Sequence, residues 1–172
     1  MGSTAIEAIA EYHNDVDRSL RLYFSEASPS FSTQFFGFRP EEIQTELAAR
    51  LEETDQRSAF FVLTTLEAAF RVDYECRCRK KMKDRLSRGF RAIYKDQGTR
   101  VNLEQDIFEA WSEDAPWLRQ LVGELRGAFR FRHWLAHGSY WVPKLGRKKY
   151  DFNFVYALAD DVLNTFPLQK PN

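Results

Sequence analysis

The sequence predicts an all-α fold, a helical bundle that forms a single domain over residues 1–172. Apolar residues recur at helical spacing along most of the chain. A length of 172 residues suits one domain with an ordinary hydrophobic core. With 44% hydrophobic and 29% charged residues, the composition is that of a globular protein rather than a disordered one.

The first half of the chain is predicted to form three helices. Apolar spacing predicts the first from residue 4 to about residue 24, and the serines, proline and glycine that come next predict a loop over 25–38. Pro40, at a first helical position and followed by two glutamates, predicts a helix to about residue 53. Asp55 is predicted to cap a third helix, which continues to about residue 81.

The second half is predicted to add three helices and a closing one. They span residues 84–96, 103–111 and 117–137, with Gly98 and Gly138 as the stops of the first and last of these. Residues 139–149 are predicted to form a loop. The alternating aromatic residues from Tyr150 to Tyr156 permit a strand, but a closing helix over 155–166 fits the pattern better.

Cysteine content and hydropathy indicate the compartment. The chain has two cysteines, Cys76 and Cys78, which excludes a disulfide scaffold and favours a reducing environment. No apolar run approaches the roughly 20 residues that a membrane span needs. The first ten residues carry Glu7 and no basic stretch, unlike a signal peptide. We therefore expect a soluble, cytoplasmic protein with no membrane contact.

The charges balance overall but are unevenly distributed. The chain has 25 basic and 25 acidic residues, so its net charge gives no support for nucleic-acid binding. From Arg71 to Arg91, however, nine basic residues stand against three acidic ones, a local net charge of +6. A solvated helix face is the ordinary interpretation of this segment, and a surface that attracts phosphate is the functional one.

The predicted helix over 117–137 separates apolar from basic residues. On a helix that turns 100° per residue, one side is apolar. Arg132 is the exception, because it falls between Phe129 and Ala136 on that side. An unpaired buried charge is costly, so Arg132 needs an ionic partner, a packed stem whose charged head reaches water, or a subunit interface. The opposite side carries a basic stripe: Arg119, Arg126, Arg130, His133 and His137.

The end of this helix resembles a known family. Arg132-His133-Trp134-Leu135-Ala136-His137 is similar to the Arg-x4–6-His motif of the HEPN superfamily, and Gly138-Ser139-Tyr140-Trp141 is similar to the residues directly after that motif in several HEPN groups. The motif covers about ten residues, and the all-helical frame extends the resemblance over most of the chain.

The resemblance implies a HEPN-like helical bundle with additional helices and a metal-independent endoribonuclease activity. Members typically form homodimers in which both motifs meet in a cleft at the interface, and many are toxins or phage-defence effectors. It thus implies an RNA substrate, a homodimer, and an antitoxin or defence-system protein as a partner. One subgroup, which pairs with a nucleotidyltransferase antitoxin, has the motif Arg-x4-His-x-Tyr. This chain departs from that motif, because Ser139 occupies the position of the tyrosine and Tyr140 comes one residue later.

The residue types suit RNA cleavage. His137 can act as the base for a 2′-hydroxyl near neutral pH, and Arg132 can clamp the scissile phosphate. Around an ideal helix, Arg132 lies about 140° from His137, whereas Arg130 lies only about 20° from it. Either the helix unwinds near Gly138, or Arg130 shares the role, or a partner subunit completes the site. We take Arg132 as the catalytic arginine because a polar residue follows it, as the family pattern prefers, and Arg130 as the alternative.

Supporting or RNA-binding roles are predicted for other residues. Glu67 lies in an apolar segment, where it either forms an ion pair with Arg71 or orients Arg132 or His137. Arg132 on the apolar side, with Trp134 and Trp141 expected to be exposed, also favours a homodimer. The supporting set is Arg126, Arg130, His133, Glu67 and Tyr140.

Metal and cofactor sites are not predicted. His133 and His137 have the i, i+4 spacing of zinc ligands, but no glutamate follows His133 as in the His-Glu-x-x-His arrangement. The two cysteines lie about 200° apart on a helix. An alternative function is a non-catalytic HEPN-like dimerisation or RNA-binding regulatory module. That alternative predicts an internally paired Arg132 and a buried His137, with no cleft.

Overall fold

The computed structural model describes residues 2–138 and 149–170. This described part is 81% helical and contains no strand, so the predicted all-α class is confirmed. None of its helices combines the length and the hydropathy needed to cross a membrane. The α-helices are α1 (Gly2–Tyr23), α2 (Phe31–Gln34), α3 (Pro40–Arg79), α4 (Arg85–Gln97), α5 (Phe108–Asp114), α6 (Arg119–Ala136) and α7 (Phe152–Thr165).

Helix α3 is continuous over 40 residues, where the sequence predicted two helices. The predicted cap at Asp55 is wrong. The Asp55 carboxylate instead accepts a hydrogen bond of 2.9 Å from the backbone N–H of Phe152, at the start of α7. After Pro40 no proline or glycine interrupts the helix, so nothing local ends it.

Helix α7 replaces the alternative strand from Tyr150 to Tyr156. The side chain of Asp151 accepts a hydrogen bond of 3.0 Å from the N–H of Phe154 and so caps the helix. The residues that α7 buries recur at helical spacing, which fixes the period at 3.6 rather than 2. They are Phe152, Val155, Leu158, Ala159 and Val162.

Short turns connect the remaining helices. The predicted 103–111 helix is a π-helical turn, Leu103–Ile107, followed by α5. Residues Pro116–Leu118 form a 3₁₀ turn that leads into α6. Asp84 caps α4 by accepting from the N–H of Ser87 at 2.9 Å, and Gly98 ends that helix at φ 61°. Within the predicted loop over 25–38, the only helical residues are the four of α2.

Helix α3 is the centre of the fold, and α1, α4, α6 and α7 pack on it. Its C-terminal half carries core residues such as Leu63, Leu66 and Phe70, all fully buried. Its N-terminal half packs against α1. We call residues 14–54, which include this part of both helices and α2 between them, the arm. Only Phe24 and Ile43 are buried in the arm.

Candidate functional site

Helix α6 ends where the sequence predicted. Ala136 is its last residue, His137 follows as the C-cap, and Gly138 has φ 79°, in the left-handed region that glycine favours. The predicted apolar side is largely buried, with Val122, Leu125 and Phe129 in the core. Ala136 is exposed, so the core ends before the helix does.

Helix α3 holds the Arg132 side chain. One guanidinium nitrogen, Nη2, lies 3.0 Å from Glu67 Oε2, and the guanidinium carbon lies 5.4 Å from the centre of the Phe60 ring. Phe60 and Glu67 are seven residues apart and therefore share one side of α3. The Arg132 side chain is only 28% exposed. Arg132 is thus anchored in the interface between α3 and α6.

Glu67 serves two arginines at once. Its Oε1 accepts a hydrogen bond of 2.9 Å from Arg71 Nε, and Arg71 also donates to the carbonyl of Val101 at 3.2 Å. The contact with Arg132 is an ion pair without hydrogen-bond geometry, because Glu67 Oε2 and Arg132 Nε are buried without a hydrogen-bond partner among the described residues. One carboxylate therefore faces two guanidinium groups, which leaves a local net charge of +1.

His137 lies on the surface next to His133. The two rings are 4.2 Å apart between centroids and tilted by 56°, and both residues are exposed. The alternative non-catalytic function predicts an internally paired Arg132, which is observed, and a buried His137, which is not. The arrangement leaves an imidazole available to solvent at the carbonyl end of α6.

The basic stripe of α6 is partly neutralised. Arg126 forms an ion pair of 2.5 Å with Glu109 and donates to the carbonyl of Glu104, which ties it to α5 and the preceding turn. Arg130 is exposed, and no described residue forms an ion pair with it. The predicted site residue Tyr140 lies outside the described residues, as do Ser139 and Trp141.

The basic segment between Arg71 and Arg91 is divided by burial. Arg77 is 5% exposed and pairs with Asp73 at 2.7 Å, and Arg91 donates to the carbonyl of Met82. Arg79 lies twelve residues beyond Glu67, about 18 Å farther along α3. Six exposed cations remain around the turn between α3 and α4, which we call the basic turn: Arg79, Lys80, Lys81, Lys83, Arg85 and Arg88.

Aromatic side chains that the sequence did not single out pack around α6. Phe131 is buried and stacks on Trp134 and Tyr150, with both centroid distances 5.7 Å. Trp134 is consequently half-buried, and the expectation that it is exposed is wrong. Gly127 could have indicated this packing, since a glycine inside a helix often marks a place where another side chain approaches the backbone closely. A Cβ at residue 127 would collide with the Tyr150 hydroxyl.

Metal-ligating residues do not cluster in the described part of the chain. No group of three or more His, Cys, Asp or Glu there is placed to hold a metal ion. Cys76 is buried, and burial raises the pKa of the Cys78 thiol. Two cavities lie between α1 and α3, and neither is lined by Arg132 or His137.

No protein-family model, curated protein or solved structure matches the chain.

Proposed function

We propose that the protein is a metal-independent endoribonuclease, with Arg132 and His137 as catalytic residues, that acts as a toxin or phage-defence effector. The observation that carries the proposal is the exposed imidazole of His137 at the end of the helix whose Arg132 guanidinium is held by Glu67 and Phe60. These are the two residues that carry the resemblance to HEPN ribonucleases.

The proposed reaction is an internal transesterification of RNA. His137 accepts the proton of a 2′-hydroxyl, and the 2′-oxygen then forms a bond to the adjacent phosphorus. The bond from phosphorus to the 5′-oxygen of the next nucleotide breaks, and that oxygen takes up a proton from water. The Arg132 guanidinium stabilises the additional negative charge on the phosphate in the transition state. The products are a 2′,3′-cyclic phosphate and a 5′-hydroxyl.

The proposal includes a homodimer. Arg132 points toward α3, where it pairs with Glu67, and lies about 140° around the helix from His137. One α6 helix therefore presents its two catalytic side chains in different directions, and a second copy supplies the complementary group. Exposed Arg130, about 20° from His137, is the alternative arginine within one chain. Light scattering that gives only the 20.2 kDa monomer at micromolar concentration would count against the dimer.

The experiment that tests the activity is incubation of the purified chain with total RNA in the presence of EDTA. Wild-type protein is expected to cleave the RNA, and His137→Ala and Arg132→Ala are each expected to lose cleavage while circular dichroism shows a folded protein. The proposal fails if both variants cleave as the wild type does, or if the wild type has no activity on RNA.

The internal pairing of Arg132 with Glu67 favours a second candidate, a non-catalytic dimerisation or RNA-binding regulatory module. An arginine that is paired inside the protein can serve to hold α6 on α3. This candidate predicts RNA binding without cleavage, and an affinity that His137→Ala leaves unchanged. In either function the protein is proposed to act in the cytoplasm, with an antitoxin or another defence-system protein as a partner.

A further inference from the structure

The arm carries a cleft of about 1230 Å³ between α1 and the N-terminal half of α3. Its α1 wall is formed by Val16, Leu20 and Tyr23, whose i, i+4, i+7 spacing places them on one side of the helix. Phe35 and Phe38 close one end. Tyr23 and Phe38 are 42% and 58% exposed, so this apolar lining is open to solvent.

The rim of the cleft is acidic although the whole chain is neutral. It carries four carboxylates and two guanidinium groups, a net charge of −2. Arg39 pairs with Glu42 and Arg50 with Glu46, each at 2.9 Å. No described cation lies within ion-pair distance of the two remaining rim carboxylates. These are Asp15 and Glu41.

We propose that this cleft binds a basic amphipathic α-helix of a partner protein, which lies along α1 and α3 as a third helix. The α1 wall from residue 15 to residue 23 is about 12 Å long, two helical turns, which matches apolar side chains at i, i+4 and i+7 of the incoming helix. Lysine or arginine residues beside that stripe would face Asp15 and Glu41. The proposal does not depend on ribonuclease activity.

Charge argues against the other occupants. A nucleic acid would bring phosphates to a rim of net charge −2, which repels them. In a two-fold symmetric contact between two copies of the chain, the same surface meets itself. Each acidic rim would then face the other, and the cleft offers no excess of cations to offset this. A helix from a different protein, with basic flanks, is the occupant that the charges favour.

The test uses the full chain and a fluorescein-labelled synthetic peptide of about 18 residues, five helical turns. The peptide carries leucines at i, i+3, i+4 and i+7 with lysines on both flanks. One control peptide has the same residues in permuted order, and another has glutamate in place of lysine. Fluorescence anisotropy is expected to show saturable binding of the lysine peptide and weaker binding of both controls.

The decisive variant is Asp15→Lys/Glu41→Lys, which reverses two exposed carboxylates and leaves the apolar wall intact. Binding of the lysine peptide is expected to weaken about tenfold, the effect of losing two exposed charge contacts, and the glutamate peptide is expected to bind more tightly. The matched control is Asp160→Lys/Asp161→Lys, two exposed acids on α7. It is expected to leave the affinity of the lysine peptide unchanged.

Several outcomes would overturn the proposal. They are no saturable binding of the lysine peptide, equal binding of its permuted form, and equal loss in the two double variants. If light scattering shows that Asp15→Lys/Glu41→Lys turns a dimer into a monomer, a second copy occupies the cleft instead. If unlabelled single-stranded RNA displaces the lysine peptide from the wild-type protein, the occupant is a nucleic acid.

Discussion

The Glu67 carboxylate contacts the Arg132 guanidinium at 3.0 Å across the interface between α3 and α6. The same carboxylate also accepts a hydrogen bond from Arg71, one turn farther along α3. Because both Glu67 and Arg132 are largely shielded from water, the attraction between them is stronger than that of a surface pair. This contact links α3 to α6, the helix whose C-cap is His137.

Replacing Glu67 with Gln is expected to lower both stability and activity. The variant keeps the shape of the side chain but leaves two guanidinium groups, Arg71 and Arg132, without a neutralising charge. The free energy of unfolding is expected to fall by about 1–3 kcal/mol, as measured by urea denaturation. If Glu67 positions Arg132, RNA cleavage by the folded variant is expected to fall as well.

The control for this positioning role is Arg71→Gln. It removes the other partner of the carboxylate and the hydrogen bond to Val101, but it preserves the contact between Glu67 and Arg132. We expect this variant to lose some stability and to keep its cleavage rate. Wild-type cleavage by Glu67→Gln would show that Glu67 has only a structural role.

The two histidines at the end of α6 are expected to differ in function. His137→Ala is expected to reduce the rate of RNA cleavage by about 10² to 10⁴, the usual effect of losing a general base. His133→Ala removes a neighbouring exposed imidazole and is expected to have a smaller effect. Both substitutions are at exposed positions, so each should change the free energy of unfolding by less than about 0.5 kcal/mol. Equal losses in single-turnover cleavage assays would contradict a specific role for His137.

The basic turn is expected to affect RNA binding rather than cleavage. The variant Lys80→Glu/Lys81→Glu/Lys83→Glu should bind labelled RNA more weakly at low salt. Its affinity should also depend less steeply on salt, because fewer cations are released on binding.

The matched control for the basic turn replaces three exposed arginines elsewhere with glutamate. They are Arg18, Arg57 and Arg100. We expect this control to bind RNA nearly as tightly as the wild type. An unchanged affinity of the lysine variant at low salt would show that the basic turn is only a solvated surface.

Two glycines in α6 are expected to respond oppositely to alanine. At Gly127, a Cβ would collide with the hydroxyl of buried Tyr150. Gly127→Ala is therefore expected to lower the free energy of unfolding by about 1–3 kcal/mol, the usual cost of overpacking. At Gly123, no described atom beyond the neighbouring backbone of α6 lies within 4 Å of the position that a Cβ would take. Gly123→Ala should raise the free energy by about 0.5–1 kcal/mol, since alanine is the better helix former. Thermal denaturation of the two variants in parallel tests the opposite signs.

The carboxyl group of Asp55 is expected to make stability depend on pH. Burial raises its pKa above the ordinary value of 3.8, and the negative charge of Asp151 acts in the same direction, against the hydrogen bond from Phe152 and the charges of His13 and Lys149. The folded state thus holds this proton more tightly than the unfolded state does. The resulting contribution to stability is present below pH 3.8 and is lost as the pH rises through the folded-state pKa.

Asp55→Asn removes this titration and keeps an acceptor for the Phe152 N–H. The difference in the free energy of unfolding, variant minus wild type, is therefore expected to increase as the pH rises above 3.8 and then to level off. Urea denaturation at a series of pH values measures it. A difference that is constant or decreases over that range would show that burial does not control this carboxyl group.

The sequence alone determined the all-α class and several helix ends. Pro40 begins α3, α4 starts one residue after the predicted position, and Gly98 and Gly138 follow the ends of α4 and α6. These signals depend on backbone hydrogen bonds and dihedral angles within one or two turns of the residue itself. The apolar side of α6 was likewise predictable, because helical periodicity fixes which residues share a face.

Only the tertiary structure decided what those faces meet. Asp55 lies within a continuous α3 because its carboxylate binds the start of α7, and Trp134 is half-buried because Phe131 and Tyr150 pack together beside it. Arg77 does not contribute to the exposed basic surface, because it is paired with Asp73. Arg132 was recognisable in the sequence as an arginine that needed a partner. Glu67 was predicted either to pair with Arg71 or to orient Arg132 or His137. The packing of α6 on α3 decided that it contacts both arginines, because such contacts depend on distances between helices that local sequence does not specify.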